Sequence, residues 1–316
     1  MKTISAALLG VCVSMFVSAE SPFPDEPVVE TVAEGFRFTE GPALAPDGSI
    51  WFTDIPNHAI HRFDPATGET SLITDDSGGA NGLFFFGDRL VVCEDRQRRS
   101  VVVHRLVEGA EGRGTIDAGS PLARVTPPQG RFNGPNDAVV HRSGSVGFFT
   151  DPLYGQRPNP LPSENVYRVT APDPMPMIAP VPLRAEPIVT DLVSPNGIGL
   201  SPDQRTLYVA DNGAKLLMAY PLDEQGSRDG EGVLFHDVSD LGGPDGMTVD
   251  SKGRVYQTIF NLGVVVISPE GERLGVLETG PRTSNCVLTA DERTLYITSE
   301  NKLKRVTLKS SAIEQD

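Results

Sequence analysis

The chain has 316 residues, a net charge of −15, 32 Gly and 27 Pro. So negative a balance makes nucleic acid and anionic membrane surfaces poor partners and leaves cations or neutral small molecules. The abundance of turn residues without low complexity argues against long helices and for many short strands.

In chain order, the first element is MKTISAALLGVCVSMFVSAES, one Lys followed by an apolar stretch and a small-residue site at Val17 and Ala19. It reads as a secretory signal over residues 1–19, which predicts a periplasmic or secreted protein whose residues 20–316 form one domain. No later stretch approaches the roughly 20 apolar residues of a spanning helix, so no membrane association is expected after cleavage. Cys93 and Cys286 are expected to be free buried thiols, because their repeat positions are not adjacent.

The body of the chain repeats one unit. Ser194 to Gly213, SPNGIGLSPDQRTLYVADNG, reads as strand, turn and strand, with Asn196 before the first strand and Asp211 after the second. The same unit begins at Glu40, Asn81, Asn136, Asn196, Asp245 and Asn285, with spacings of 41, 55, 60, 49 and 40 residues. A second and a third strand follow each start. Repeats of this length with frequent turns predict an all-β protein, a six-bladed β-propeller with four-stranded antiparallel blades. A strand near Val28 to Ala33 is expected to complete the last blade and close the ring. An open solenoid is the rival architecture.

In a propeller the first strand of each blade lines the central channel, so the six starting residues converge on one axis. All six side chains offer oxygen. Asn and Asp are common turn formers and a single one has no further meaning, but Glu40 is not a turn former and six coincide. Converging carboxylates and amides predict one divalent cation at the channel mouth, Ca²⁺ first, with Mg²⁺, Mn²⁺ or Zn²⁺ as alternatives. The histidines are expected away from the channel, and no Gly-x-Ser-x-Gly elbow is present.

FTEGPALAPDGSIWFTDI, RFNGPNDAVVHRSGSVGFFTDPLYG, SPNGIGLSPDQRTLYVAD and GGPDGMTVDSKGRVY resemble the gluconolactonase branch of the SMP-30/gluconolactonase/LRE-like family, from about Phe36 to Val306. The resemblance implies a six-bladed propeller holding one divalent metal through Glu40, Asn136, Asn196 and Asp245. Animal members carry Arg two residues before the first Asn ligand, where this chain has Gly134. The resemblance also implies opening of a sugar lactone by water at a metal-polarised carbonyl. Asp245 is the first candidate for the base, with Glu94 and Asp95 in reserve. Asn81, Asn133, Tyr154 and Asn285 are the candidate substrate contacts, Tyr154 because it stands in the long Asp151 to Glu164 connection on the metal face. The strand-end acids Asp54, Glu94, Asp151, Asp211 and Glu300 are expected mainly to cap turns, and the Pro-rich Pro172 to Pro187 stretch is expected as a loop on the face opposite the metal. A phosphotriesterase on the same propeller, or a secreted binding propeller with a structural metal, are the alternative functions.

Overall fold

Each β-branched or aromatic run becomes a strand, and each Gly, Pro or Asp cluster a turn between antiparallel neighbours. The computed structural model describes residues 20–109, 114–117, 120–128, 130–155, 158, 161–172 and 181–309. The signal reading of residues 1–19 lies outside the described residues, as do residues 173–180 of the Pro-rich Pro172 to Pro187 stretch; residues 181–187 of that stretch are strand rather than the expected loop.

Chain order gives β1 (Glu30–Glu34), then a sheet of β2 (Thr39–Leu44), β3 (Ile50–Asp54), β4 (Ala59–Asp64) and β5 (Glu69–Thr74). Next come β6 (Ala80–Phe86), β7 (Arg89–Glu94), β8 (Ser100–Glu108), β9 (Gly114–Ile116) and β10 (Ala123–Thr126). They are followed by β11 (Ala138–Val140), β12 (Val146–Asp151), β13 (Asn165–Thr170) and β14 (Val181–Val189). Two sheets of sequential strands follow: β15 (Pro195–Leu200), β16 (Thr206–Asp211), β17 (Leu216–Pro221) and β18 (Val233–Asp237); then β19 (Pro244–Val249), β20 (Val255–Ile259), β21 (Gly263–Ile267) and β22 (Arg273–Glu278). The last sheet joins β23 (Thr283–Leu288), β24 (Thr294–Ser299) and β25 (Lys302–Thr307) to β1 from the other end of the chain. β1 pairs antiparallel with β25, so an N-terminal strand covers an edge that would otherwise be open.

One feature departs from separate antiparallel units. β10 and β14, both outer strands, pair in parallel and fuse β6–β10 and β11–β14 into a mixed sheet of nine strands. β14 is nine residues long, and its free edge finds the unpaired edge of β10. That pairing satisfies backbone groups on both.

The core lies between neighbouring sheets rather than inside one. Trp51 and Ile60 of the first sheet pack with Leu83, Leu90 and Val92 of the next. Similar seams run round the molecule, ending where Tyr296 and Leu303 of the last sheet meet Ile50, Phe52 and Phe63 of the first. The inner strands β2, β6, β11, β15, β19 and β23 are neighbours in that order, and β23 touches β2 again. An open solenoid has no such closing contact. Each fully buried large side chain adds about 1.5–3 kcal/mol by burial, so the seams hold the sheets face to face. Cys93 and Cys286 are buried in two different seams, and both are free thiols.

Candidate active site

The site begins with irregularities in the inner strands. Register shifts fall between Glu40 and Ala43, Ala80 and Leu83, Pro195 and Ile198, Pro244 and Met247, and Thr283 and Asn285. Such bulges break the strict alternation of side chains and re-aim one of them. Here the re-aimed residues are those that open the sequence repeat.

Two further repeats fix the backbone around them. Asp54 accepts the N–H groups of Arg37 and Phe38, Asp151 those of Asn133 and Gly134, and Asp211 those of Val193 and Ser194, at 2.7–3.1 Å. In each case the donors lie three and two residues before Glu40, Asn136 or Asn196. These strand-end acids therefore hold the approach to the inner strand. Threonines at the ends of second strands bond across the seams: Thr53 Oγ1 donates to the Asn81 carbonyl at 2.9 Å, and Thr150 Oγ1 to the Asn196 carbonyl at 2.6 Å.

The result is a cavity of about 770 Å³ whose lining includes Glu40, Asn81, Asn136, Asn196, Asp245 and Tyr154. The Asn196 Nδ2 donates to the Tyr154 hydroxyl at 2.7 Å, which turns the Asn196 Oδ1 the other way. The Oδ1 atoms of Asn81 and Asn196 are buried with no hydrogen-bond partner among the described residues. Glu40 accepts the Gly41 N–H at 2.8 Å.

Three nominated residues are not among those lining this cavity. Asn285 turns its Nδ2 to both carboxylate oxygens of Asp137, each at 3.0 Å, while its Oδ1 accepts the Cys286 N–H at 2.8 Å. Asn133 spends its amide on the Ser163 carbonyl at 3.0 Å and the Leu161 N–H at 2.7 Å, bracing the long connection. Glu94 is held by Arg98 at 2.8 Å, Arg124 at 3.1 Å and the Ser100 hydroxyl. Its neighbour Asp95 does line the cavity, paired with Arg96 at 2.9 Å.

Burial pushes the Glu40 carboxyl well up from its ordinary range, and repulsion by Asp245 and Asp137 adds to the rise. Asp245 is raised by burial and then by Asp137. Burial pushes Asp137 up to about 7, with the Asn285 hydrogen bond opposing it. Crowded acids beside partnerless amide oxygens form a hard-oxygen set with surplus negative charge, which fits a cation of the Ca²⁺ type. Among the described residues no three His, Cys, Asp or Glu side chains gather as a metal centre. The set is carboxylate and amide, which disfavours a dedicated zinc site.

Sequence reasoning missed several residues of the mouth. His58, Arg96 and Arg282 line it with Phe38 and Phe260. His58, expected away from the channel, comes to the rim through a left-handed turn at φ 54° after β3. His58 and Arg96 lie in connections after second strands, and the residue type at the repeat position of Arg282 varies among the units, so alignment of the units singled out none of them. Asp137 was legible only as the position where four of the other units place Gly and the last places Cys286.

Fold and site together define an all-β, propeller-like protein with an acidic, amide-lined cavity at the ends of its inner strands. Residues 38–301 match the SMP-30/Gluconolactonase/LRE-like region, and the chain belongs to that family. It is 27% identical over 312 residues to the gluconolactonase of Zymomonas mobilis, covering 89% of this chain and 82% of that one. It is 26% identical to the pentonolactonase XacC of Haloferax volcanii over 86% of this chain and 84% of that protein. Among solved structures, a gluconolactonase of Xanthomonas campestris superposes with a TM-score of 0.74 at 28% identity, covering 91% of both chains.

Proposed function

We propose that this protein is an exported, metal-dependent hydrolase that opens a sugar lactone, built as a six-bladed propeller in which the β10–β14 pairing ties two blades together. The observation that carries the reading is the convergence of Glu40, Asn81, Asn136, Asn196 and Asp245 on one cavity, with two amide oxygens left partnerless there. The lactonase relatives, alike over most of the chain, support the substrate class. The apolar segment 1–19 supports export to the periplasm or the medium.

Glu40, Asn136, Asn196 and Asp245 hold one divalent cation, Ca²⁺ in the first instance. When bound, it supplies Lewis-acid stabilisation for the negative charge that develops on the lactone carbonyl oxygen. Asn81 and Tyr154 orient the substrate, and Tyr154 also fixes the Asn196 amide. Asp245 takes a proton as the water oxygen bonds to the carbonyl carbon. The bond from that carbon to the ring oxygen then breaks, and the proton passes to the ring oxygen, giving an open-chain hydroxy acid. Glu94 is not assigned the base role, because Arg98, Arg124 and Ser100 occupy both of its oxygens.

The test is hydrolysis of glucono-1,5-lactone and a panel of other lactones after chelation and after return of Ca²⁺, Mg²⁺, Mn²⁺ or Zn²⁺. Activity that vanishes on chelation and returns with one ion is expected. Turnover that survives chelation undiminished removes the cation from the proposal. Failure of every lactone with every ion removes the lactonase reading.

A further inference from the structure

We propose that the cavity takes lactones of sugar acids bearing a second anionic group remote from the ester, and that Arg282 binds that group. This deepens the lactonase reading and rests on it.

The third residue before the repeat start has positive φ in three units: Gly78 at 70°, Gly242 at 138° and Arg282 at 53°. Two of the three are Gly, the residue that adopts this conformation without a steric penalty. Arg282 adopts it despite its Cβ, and its side chain lines the cavity. Strain of this kind at a cavity wall points to a side chain whose placement matters.

The guanidinium lies over the Phe38 ring, 4.5 Å from its centroid, and Phe38 lies 6.5 Å from Phe260, another lining residue. The backbone beneath is pinned, since Glu300 donates its N–H to the Arg282 carbonyl at 3.0 Å and Thr283 donates to the Phe260 carbonyl at 2.8 Å. Among the described residues the Arg282 guanidinium makes no hydrogen bond or ion pair, in a chain of net charge −15. The other guanidinium at the mouth, Arg96, is already paired with Asp95 at 2.9 Å. A stacked, unpaired guanidinium keeps its N–H groups at the ring's edge, where a planar carboxylate or a sulfonate can accept two of them. The ester sits at the oxygen ring formed by the inner strands, and Arg282 stands at the mouth, so the anion belongs at the far end of the sugar.

The test compares glucono-1,5-lactone with D-glucaro-1,5-lactone, which has a carboxylate in place of the terminal hydroxymethyl, on wild type, Arg282→Gly and Arg282→Lys with Ca²⁺ added. The expected result is a kcat/KM ratio of diacid lactone to neutral lactone that falls at least tenfold in Arg282→Gly, mainly through KM, and partly recovers in Arg282→Lys. Arg282→Gly is also expected to melt no lower than wild type, because Gly relieves the backbone strain. An equal loss on both lactones with a lowered melting temperature overturns the proposal and makes Arg282 a packing residue. If neither lactone is hydrolysed, the lactonase reading fails by itself, and calorimetry with glucarate and gluconate decides the anion site. A tenfold preference of wild type for glucarate that Arg282→Gly abolishes sustains that site, and equal affinities refute it.

Discussion

Gly197 stands one residue past Asn196 in β15, outside the left-handed region, so Ala there meets no backbone strain. What it meets is the next inner strand: its Cβ would lie 2.3 Å from the Asp245 carbonyl oxygen and 3.0 Å from Gly246 atoms. Both partners are backbone and neither can rotate away, so β15 and β19 must separate by roughly 1 Å to restore van der Waals distance. Overpacking of this kind costs about 1–3 kcal/mol, against a gain of about 0.4–1 kcal/mol from a stiffer unfolded chain. Gly147→Ala is the internal control, because its Cβ would be 3.6 Å from its nearest neighbour, the Val139 carbonyl oxygen. Only the entropic gain applies there. Thermal unfolding should show Gly197→Ala melting several degrees below wild type and Gly147→Ala level with it or slightly above. Lactone turnover should fall about a hundredfold in Gly197→Ala alone, since a 1 Å displacement of Asp245 suffices for a loss of that size. A Gly197→Ala protein as stable and active as Gly147→Ala refutes the close seam between the inner strands.

Thr150→Val keeps the shape but leaves the Asn196 carbonyl and the Asp137 N–H, now served by Thr150 Oγ1 at 2.6 and 3.2 Å, without their side-chain partner. It should lower unfolding free energy by about 1–3 kcal/mol, read as a lower denaturant midpoint at an unchanged slope. Asp245→Asn should abolish turnover while leaving the melting temperature near that of wild type; a large loss of stability would instead mark the residue as structural. Asp151 has its carboxyl raised to about 7 by burial, above the roughly 3.9 of an unfolded chain. The folded state therefore holds this proton where the unfolded state has released it, so the contribution is full below about pH 4 and is lost as pH rises to about 7. Denaturation across that window should show up to about 4 kcal/mol of falling stability that Asp151→Asn removes; an identical slope in the variant contradicts the assignment.

The repeat made the architecture legible before any coordinate. Strand periodicity and turn chemistry are local properties, and each unit carries its own copy of both, so six starts, their second and third strands and the closing β1 could be read in order. The oxygen-bearing residue at each start was legible for the same reason. Which of these residues share a cavity was decided by contacts between positions far apart in the chain. Asn285 is drawn aside by Asp137 across 148 positions, and Glu94 is occupied by Arg124 across 30. β10 and β14 meet only because packing brings two outer edges together. Arg282 acquires meaning from Phe38, which belongs to the opposite end of the sequence and becomes its neighbour when the last sheet closes on the first. Sequence by itself determined the first three strands of each unit, the repeat and the oxygen side chains at its starts, because these depend on neighbours along the chain. Only the tertiary structure decided which of those groups remain free for a ligand, because that depends on which distant side chain reaches each of them first.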